Sequence, residues 1–303
     1  MLPSDSAAVA VSSLRAGQQL QGVFACTRKD RLITRTGSPY LALELRDRTG
    51  TISARAFRDA DALAGRFERG ELVRVSGRVQ RFRDELVLEL LEIGRAPAEE
   101  ADPAGFLPVS RRDLDELDGF LEHLAGEVYD RSYRALLGEL LADRPLRTAL
   151  RRAPCTRAGH HAYLGGLLEH TVAVATLAFE LCQVHPRLNS DLLLTAAVVH
   201  DLGRTREFSY GAEIGITDEG RLLGHLVIGE RMLSERCRAL DSERRLALLH
   251  CVLSHHGPSS LPGERFGSAE ALALYRLNAL DASVKGALEH GLPSAPGAAT
   301  PSR

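Results

Sequence analysis

Short segments in which apolar and polar residues alternate fill the first third of the chain. Alternation with a period of two is typical of β-strands that bury one face. The alternating segments are residues 19–34, 39–46, 51–57, 71–82 and 85–93. A turn at 47–50 joins the second and third segments into a hairpin, and a connection of helical length, 59–69, separates the third from the fourth. Five short strands in this arrangement predict a small Greek-key barrel of the OB type.

From residue 110 onward, apolar residues recur instead at the three- and four-residue spacing of helices. The first helix carries Leu114, Leu117, Leu121 and Leu124, and Ser110 is placed to cap its N-terminus. Further helices are predicted over residues 146–152, 167–184, 225–239 and 241–254, and a long last helix carries Asn278 and Asp281 near one face. The predicted fold class is therefore α+β with two domains, an N-terminal OB-type β-barrel followed by an all-α domain.

Composition sets the boundaries of these two domains. We expect a disordered lead-in at 1–17, the barrel domain at 18–95, a linker rich in Ala, Pro and acidic residues at 96–109, the helical domain at 110–291 and a disordered tail at 292–303. The whole chain has a net charge of −2, but the barrel domain alone carries +4. An anionic partner is therefore expected at the barrel rather than at the helical domain.

Five cysteines are scattered along the sequence, namely Cys26, Cys155, Cys182, Cys237 and Cys251. Their odd number and the lack of CxxC spacing favour buried thiols in a reducing compartment over a disulfide framework or a zinc site. The apolar stretch at 7–11 is short and lacks the basic flank of a signal peptide. No window approaches the ~20 apolar residues that span a bilayer. We therefore expect a cytoplasmic protein with no membrane partner.

The barrel domain carries the residue types that a platform for single-stranded nucleic acid needs, which are basic side chains for phosphates and aromatic rings for bases. The candidates are Arg28, Lys29, Arg55 and Arg81 for phosphates, and Tyr40 and Phe57 for bases. A barrel that serves only for packing or dimerisation is the alternative. We predict single-stranded RNA or DNA as the partner of this domain.

One apolar run in the helical domain ends directly on two reactive groups. Residues 192–199 lead into adjacent His200 and Asp201, which places an imidazole and a carboxylate at the edge of a core. Such burial is unfavourable unless a cation or hydrogen bonds compensate it. Further histidines lie on both sides of this run, at His170, His225, His255 and His256.

A mixture of histidine and aspartate favours manganese, iron, nickel or zinc over all-oxygen magnesium or calcium sites. An aspartate among several histidines can bridge two ions, and such a pair can activate water and stabilise the leaving oxygen of a phosphoryl transfer. Arg204 lies one helical turn beyond His200, where its guanidinium could bind phosphate oxygens.

These motifs resemble those of the HD-domain metal phosphohydrolase superfamily. The matching motifs are His170-Thr171, HDLGR at 200–204, Gly224-His225, SHHG at 254–257 and a late helix that contains aspartate. HHAYLGGLLEHT at 160–171 and TDEGRLLGH at 217–225, together with the OB-like domain, resemble the YhaM family of 3′–5′ exoribonucleases. The resemblance extends over residues 18–290.

The resemblance implies an OB-fold that holds single-stranded nucleic acid and an HD domain that removes nucleotides from a 3′ end with a divalent metal, typically Mn²⁺. It implies metal ligands at His170, His200, Asp201, His225 and His255, and it leaves His256 to serve the substrate. Arg204 stands where the family commonly has lysine. Asn278 stands where the last metal carboxylate is expected, with Asp281 one turn later. Either Asn278 holds one ion weakly, or Asp281 is the ligand instead.

We therefore predict a metal-dependent 3′–5′ exoribonuclease that cleaves terminal phosphodiesters, with single-stranded DNA as a further candidate substrate. Asp201, Arg204 and His256 are the predicted catalytic residues, and a two-ion manganese site is the predicted cofactor. One alternative is an HD-type nucleotide or cyclic-dinucleotide phosphohydrolase. Another is a nucleic-acid-binding protein whose HD catalysis is weakened or lost. The sequence also leaves a homo-oligomer open.

Overall fold

The structure is a computed structural model that describes residues 10–237 and 240–292. The predicted disordered lead-in and tail fall largely on residues 1–9 and 293–303, which lie outside the described residues. Within the described part of the lead-in, Val11–Ser13 forms a short 3₁₀ helix.

The first part of the described chain folds into a closed barrel of five strands in the order β1-β2-β3-β5-β4. The strands are β1 (Gln19–Ile33), β2 (Pro39–Arg46), β3 (Thr51–Ala56), β4 (Leu72–Phe82) and β5 (Glu85–Arg95). Helix α1 (Ala60–Ala64) lies between β3 and β4. Strand β1 pairs antiparallel with both β2 and β4, and the parallel pairing of β3 with β5 closes the barrel. The predicted OB-type barrel is confirmed.

The second part of the described chain is mainly helical, which confirms the predicted α+β class. Its helices are α2 (Leu114–Gly126), α3 (Arg131–Ala142), α4 (Arg144–Arg152), α5 (Gly166–Val184), α6 (Ser190–Val199), α7 (Arg204–Glu207), α8 (Asp218–Arg236), α9 (Ser242–Ser254) and α10 (Ala269–His290). Between α7 and α8, the short strands β6 (Phe208–Tyr210) and β7 (Ile214–Ile216) form a two-stranded sheet. Helix α8 begins before the predicted 225, but Gly224 interrupts its helical geometry with φ 69° and ψ 160°.

The first helix of this part is capped differently from the prediction. Asp113 is the N-cap residue of α2, because its side chain accepts hydrogen bonds from the backbone nitrogens of Asp115 and Glu116. Ser110 instead donates from its hydroxyl to Glu169 at 2.8 Å. Ser110 and Asp113 are both suitable capping residues and lie three positions apart. Asp113 is the cap because α2 begins at Leu114.

Two largely buried helices, α5 and α6, form the centre of the helical core. Helix α5 packs against α2, α4, α6 and α10, and α6 is buried from Leu192 to Val199. In the described part of the chain, α5 is also the one helix that is long and apolar enough to cross a membrane by length and composition. This is weak evidence for a membrane span, because the core helix of a globular domain has the same composition.

The described chain divides into two compact units. Among the described residues, one contains 10–108 together with Tyr210–Gly215, and the other contains Val109–Ser209, 216–237 and 240–292. The domain bounds that we expect from the sequence stay a prediction, since compactness alone does not test them. The segment 210–215 groups with the barrel unit, although it follows α7 in the chain.

Gly203, the glycine of HDLGR, allows a close approach between two backbone segments. A Cβ atom at this position would lie 2.0 Å from the carbonyl oxygen of His225 and 2.6 Å from the nitrogen of Gly229. The backbone of Gly203 is in the ordinary right-handed helical region, so the requirement is for space and not for an unusual φ. This approach brings the turn after α6 against the second segment of α8, and thereby brings Asp201 near His225.

We predict that Gly203→Ala destabilises the helical domain, because either α8 or the HDLGR turn must move. Overpacking of this kind reduces the free energy of unfolding by about 1–3 kcal/mol. Gly138→Ala is the matched control, since Gly138 is an exposed residue within α3 and a Cβ there meets nothing within 4 Å. Thermal unfolding followed by circular dichroism should show a lower Tm for Gly203→Ala only. Equal Tm values for the two variants would contradict the prediction.

Candidate metal centre

The C-terminal end of α6 places His200 and Asp201 side by side within the helical core, and both are buried. The Asp201 carboxylate has a set of side chains near each of its two oxygens. The first donor group is His170, His200 and Asn278, and the second donor group is His225, His255 and His256. The predicted ligands His170, His200, His225 and His255 thus surround the Asp201 carboxylate, and Asn278 contacts His170.

Three elements contribute the first donor group, since His170 is on α5, His200 follows α6 and Asn278 is on α10. His170 Nε2 lies 3.2 Å from His200 Nε2 and 3.0 Å from Asn278 Oδ1. Both histidine Nε2 atoms are 3.8 Å from Asp201 Oδ2. The amide nitrogen of Asn278 donates to the His255 carbonyl oxygen at 3.3 Å, so the amide oxygen is turned toward the histidines.

The second donor group lies next to the other oxygen of Asp201. The Nε2 atoms of His225 and His255 are 3.4 and 3.3 Å from Asp201 Oδ1. His256 is exposed, and its Nε2 is 2.9 Å from that of His225. Because Asp201 is shared by the two donor groups, its carboxylate has the geometry to bridge two ions.

Hydrogen bonds to the backbone determine which imidazole nitrogens face the centre. His200 Nδ1 donates to the Ala197 carbonyl oxygen at 2.8 Å, and His255 Nδ1 donates to that of Val252 at 2.6 Å. The Nε2 atom of each neutral ring therefore presents a lone pair to the centre. Burial lowers the pKa of His200 well below its ordinary value, which keeps this ring neutral.

Two buried atoms of the centre, Asp201 Oδ1 and His255 Nε2, have no hydrogen-bond partner within residues 10–237 and 240–292. They lie 3.3 Å apart, and both present lone pairs. Such an arrangement is unfavourable in a core unless positive charge lies between the atoms. The residues therefore fit a divalent cation, and a donor set of imidazoles with one carboxylate suits a transition metal better than Mg²⁺ or Ca²⁺.

Arg204 is buried between two carboxylates. Its Nε donates to Asp201 Oδ2 at 2.7 Å, and its Nη1 donates to Glu207 Oε2 at 3.0 Å. Burial alone would raise the pKa of Asp201, but the Arg204 guanidinium together with the His200 and His255 side chains holds the pKa well below its ordinary value. The phosphate contact that the sequence suggests for Arg204 stays a prediction.

Glu207 connects Arg204 to the second donor group, although it lies outside the motifs identified in the sequence. Its Oε1 accepts a hydrogen bond from the backbone nitrogen of His225 at 3.2 Å and lies 3.3 Å from Nδ1 of the same ring. This contact turns Nε2 of His225 toward Asp201. The i,i+3 spacing of Arg204 and Glu207 is the signal that could have identified the residue.

Asp281 lies behind His170 and not among the donor groups. Its Oδ2 is 2.6 Å from His170 Nδ1 and 3.0 Å from His161 Nε2. Nδ1 is on the opposite side of the His170 ring from the Nε2 that faces Asn278. The geometry therefore favours Asn278 as the ligand position and Asp281 as a residue that orients His170. His161 is buried against the same carboxylate.

A patch on the barrel surface brings together several of the residues predicted to bind nucleic acid. The rings of Tyr40 and Phe57 stack with centroids 5.3 Å apart. The Arg55 guanidinium lies 4.7 Å from the centre of the Phe82 ring. We call Tyr40, Arg55, Phe57 and Phe82 the aromatic patch. Arg28 lines a surface pocket together with Tyr40 and Arg55.

The remaining candidates on the barrel are placed differently. Lys29 donates from Nζ to the Phe67 carbonyl oxygen at 2.5 Å and to Glu68 at 3.1 Å, so its ammonium is engaged inside this domain. Arg81 is exposed on β4. Phe24, a further aromatic residue of the barrel, is buried in its core and is therefore not available for stacking. The roles of these residues in binding stay predictions.

Comparison with known proteins matches both parts of the chain. A family model described as "HD domain" matches residues 167–283, and one described as "OB-fold nucleic acid binding domain" matches residues 23–94. The chain is 28% identical to 3′–5′ exoribonuclease YhaM of Shouchella clausii, over 89% of this chain and 85% of that protein. It is also 28% identical to 3′–5′ exoribonuclease YhaM of Bacillus subtilis, over 88% of this chain and 86% of that protein.

Among solved structures, the second OB-fold domain of replication protein A from Methanococcus maripaludis is 19% identical, covering 29% of this chain and 94% of that chain, with a TM-score of 0.25. A score of this size supports no conclusion.

We predict that Asp281→Asn weakens metal binding without abolishing it, because His170 loses a charged partner but keeps its Nε2. Loss of a contact that orients a metal ligand reduces affinity about 10–100-fold. Asp201→Asn should abolish tight binding, and Asp218→Asn, at an exposed carboxylate, should change nothing. Isothermal titration with Mn²⁺ measures all three variants. A loss at Asp281 as complete as that at Asp201 would identify Asp281 as a ligand.

Proposed function

Because the chain belongs to the YhaM family of proteins with an OB-fold domain and an HD domain, we propose that it is a metal-dependent 3′–5′ exoribonuclease. The substrate class is single-stranded RNA, with single-stranded DNA as a second candidate. The observation that carries the proposal is the buried Asp201 carboxylate, which has a donor group of side chains at each oxygen. The aromatic patch on the barrel supports a strand as the substrate.

The ions of this centre would be held by Asp201 with His170, His200 and Asn278 on one side, and with His225, His255 and His256 on the other. We propose Mn²⁺, in keeping with the imidazole-rich donor set. A bound divalent ion supplies Lewis-acid polarisation of the phosphate and makes water a nucleophile at neutral pH.

The protein's own side chains prepare this chemistry. Arg204 keeps Asp201 ionised despite its burial. The Ala197 and Val252 carbonyl oxygens hold the rings of His200 and His255 with Nε2 toward the centre. His256, on the exposed side of the second donor group, is placed to contact the terminal phosphate of the strand.

The barrel domain would hold the strand behind the cleaved end. Arg28 and Arg55 would neutralise phosphates, and the rings of Tyr40, Phe57 and Phe82 would stack on bases. Stacking on an aromatic ring is tolerant of sequence, because every base has a π-face. Such a platform suits an enzyme that removes successive nucleotides irrespective of their identity.

A cytoplasmic location is part of the proposal. Its support is that all five cysteines lie within the described ranges as buried free thiols, as expected for a reducing compartment. Formation of a homo-oligomer stays a prediction.

We expect the full-length protein with Mn²⁺ to shorten a 5′-labelled oligoribonucleotide from its 3′ end and to give a ladder of products. Asp201→Ala should lose both this activity and the bound metal, because it removes the one carboxylate shared by the donor groups. Gel electrophoresis and elemental analysis measure the two effects. Full metal content in Asp201→Ala, or shortening without metal, would contradict the proposal.

Other outcomes of the same assay distinguish the alternatives. Hydrolysis of nucleotides or cyclic dinucleotides with no shortening of RNA would identify a small-molecule phosphohydrolase. Binding of the oligonucleotide without any cleavage would identify a nucleic-acid-binding protein.

We predict that Phe57→Ala weakens binding of long single-stranded RNA, because it removes an exposed ring of the aromatic patch. Loss of one base–aromatic stack reduces the binding free energy by about 1–3 kcal/mol. Phe120→Ala is the matched control, since Phe120 is a similarly exposed ring on α2. Fluorescence anisotropy with a labelled 20-mer measures both variants. Equal affinities would place strand binding away from the patch.

A further inference from the structure

The two oxygens of Asp201 differ in charge pairing, because Oδ2 accepts a hydrogen bond from the Arg204 guanidinium and Oδ1 has no partner among the described residues. We propose that the second donor group and Asp201 hold one ion by themselves, whereas the first donor group takes up its ion only together with a phosphate anion. The arriving 3′ end of the substrate would supply that anion. This inference rests on the proposed function, but it concerns metal occupancy, which is measured without any cleavage.

The second donor group faces the oxygen of Asp201 whose charge is not neutralised by a neighbour. Asp201 Oδ1 accepts no hydrogen bond from any described residue, and the same is true of Nε2 of His255. His225 and His255 both approach this oxygen to within 3.4 Å. Unpaired lone pairs at such distances in a core favour a cation in the free protein.

The first donor group faces the oxygen that is already paired with a positive charge. Asp201 Oδ2 accepts the Arg204 Nε–H at 2.7 Å, and Arg204 is itself buried. The group's own donors are two imidazoles and the amide oxygen of Asn278, and the buried Cys155 thiol donates to the same Asp201 oxygen at 3.8 Å. A neutral amide offers a cation only a dipole, so this group, like the three imidazoles of the second group, carries no formal negative charge. It differs from the second group in facing the Asp201 oxygen that Arg204 already neutralises.

Repulsion between two bound ions increases the difference in metal affinity between the two donor groups. Two bridged ions lie about 3.5–4 Å apart, and here they share one carboxylate next to a fixed guanidinium. Once the second donor group is filled, a further divalent ion at the first group requires additional negative charge. A phosphodiester or a free phosphate supplies that charge. By thermodynamic linkage, phosphate must then tighten the binding of this ion, and the ion must tighten the binding of phosphate.

The test is a titration of the metal-free full-length protein with Mn²⁺, with and without inorganic phosphate as the probe. Calorimetry gives the stoichiometry, and electron paramagnetic resonance detects spin-coupled Mn²⁺ pairs. We expect one tight ion in phosphate-free buffer. Phosphate should tighten a second ion at least about tenfold, a coupling of about 1.4 kcal/mol, and should produce the coupled signal.

Asn278→Asp should bind two ions without phosphate, because it adds the missing negative charge to the first donor group. The matched control is Asn189→Asp, at the only other asparagine of the chain. Asn189 caps α6, a role that aspartate also fills, so this variant should keep the phosphate dependence. If Asn278→Asp fails to fold, Arg204→Gln tests the same point by removing the fixed positive charge.

Two equally tight ions in phosphate-free wild-type protein would overturn the inference, and so would a single ion that phosphate does not change. The inference would also be overturned if Arg204→Gln, which lacks the fixed positive charge, still required phosphate to bind a second ion. These results are independent of the RNA assay. Absence of a 3′ ladder would overturn the proposed function and would leave a phosphate-dependent second ion intact.

Discussion

The helical domain is arranged around a carboxylate that its own fold removes from water. The apolar run of α6 continues into His200 and Asp201, so the side chain of Asp201 is carried into the core along with the run. An ionised carboxylate in such a place is stable only if charges or hydrogen-bond donors surround it. The neighbours of Asp201 meet this requirement on one oxygen with a guanidinium and on the other with a site suited to a cation.

A chain of contacts connects the two oxygens of Asp201 around the outside of the centre. It runs from Oδ2 to Arg204, from Arg204 to Glu207, from Glu207 to the His225 ring, and from Nε2 of His225 back toward Oδ1. Gly203 makes this arrangement possible, because any larger residue would separate the HDLGR turn from α8. This series of contacts also makes the two oxygens of Asp201 different, since only Oδ2 accepts a hydrogen bond from a fixed positive charge.

The barrel domain has a hydrophobic core of its own, separate from the core of the helical domain. Its inward residues, among them Phe24, Leu41 and Val73, are fully buried, while the rings of Phe57 and Phe82 are about half exposed. A cluster of exposed rings is typical of an interaction surface, and the Arg55 guanidinium lies over one of these rings, Phe82. A surface of this kind, with basic groups beside flat rings, is suited to bases and phosphates together.

The sequence by itself determined the two-domain order, the strand and helix pattern, and most of the residues that gather at the centre. It could do so because alternation and helical spacing are local properties, and because the HDLGR motif joins a buried run to its polar end. Only the tertiary structure shows that Asn278 and Asp281 contact different nitrogens of the His170 ring, since both lie near one face of α10 and His170 comes from α5. The engagement of Lys29 by the Phe67 carbonyl oxygen, and the contact of Glu207 with the His225 ring, were likewise beyond the sequence. Such contacts form between elements that are distant in the sequence, and local sequence patterns do not indicate which of these elements pack together.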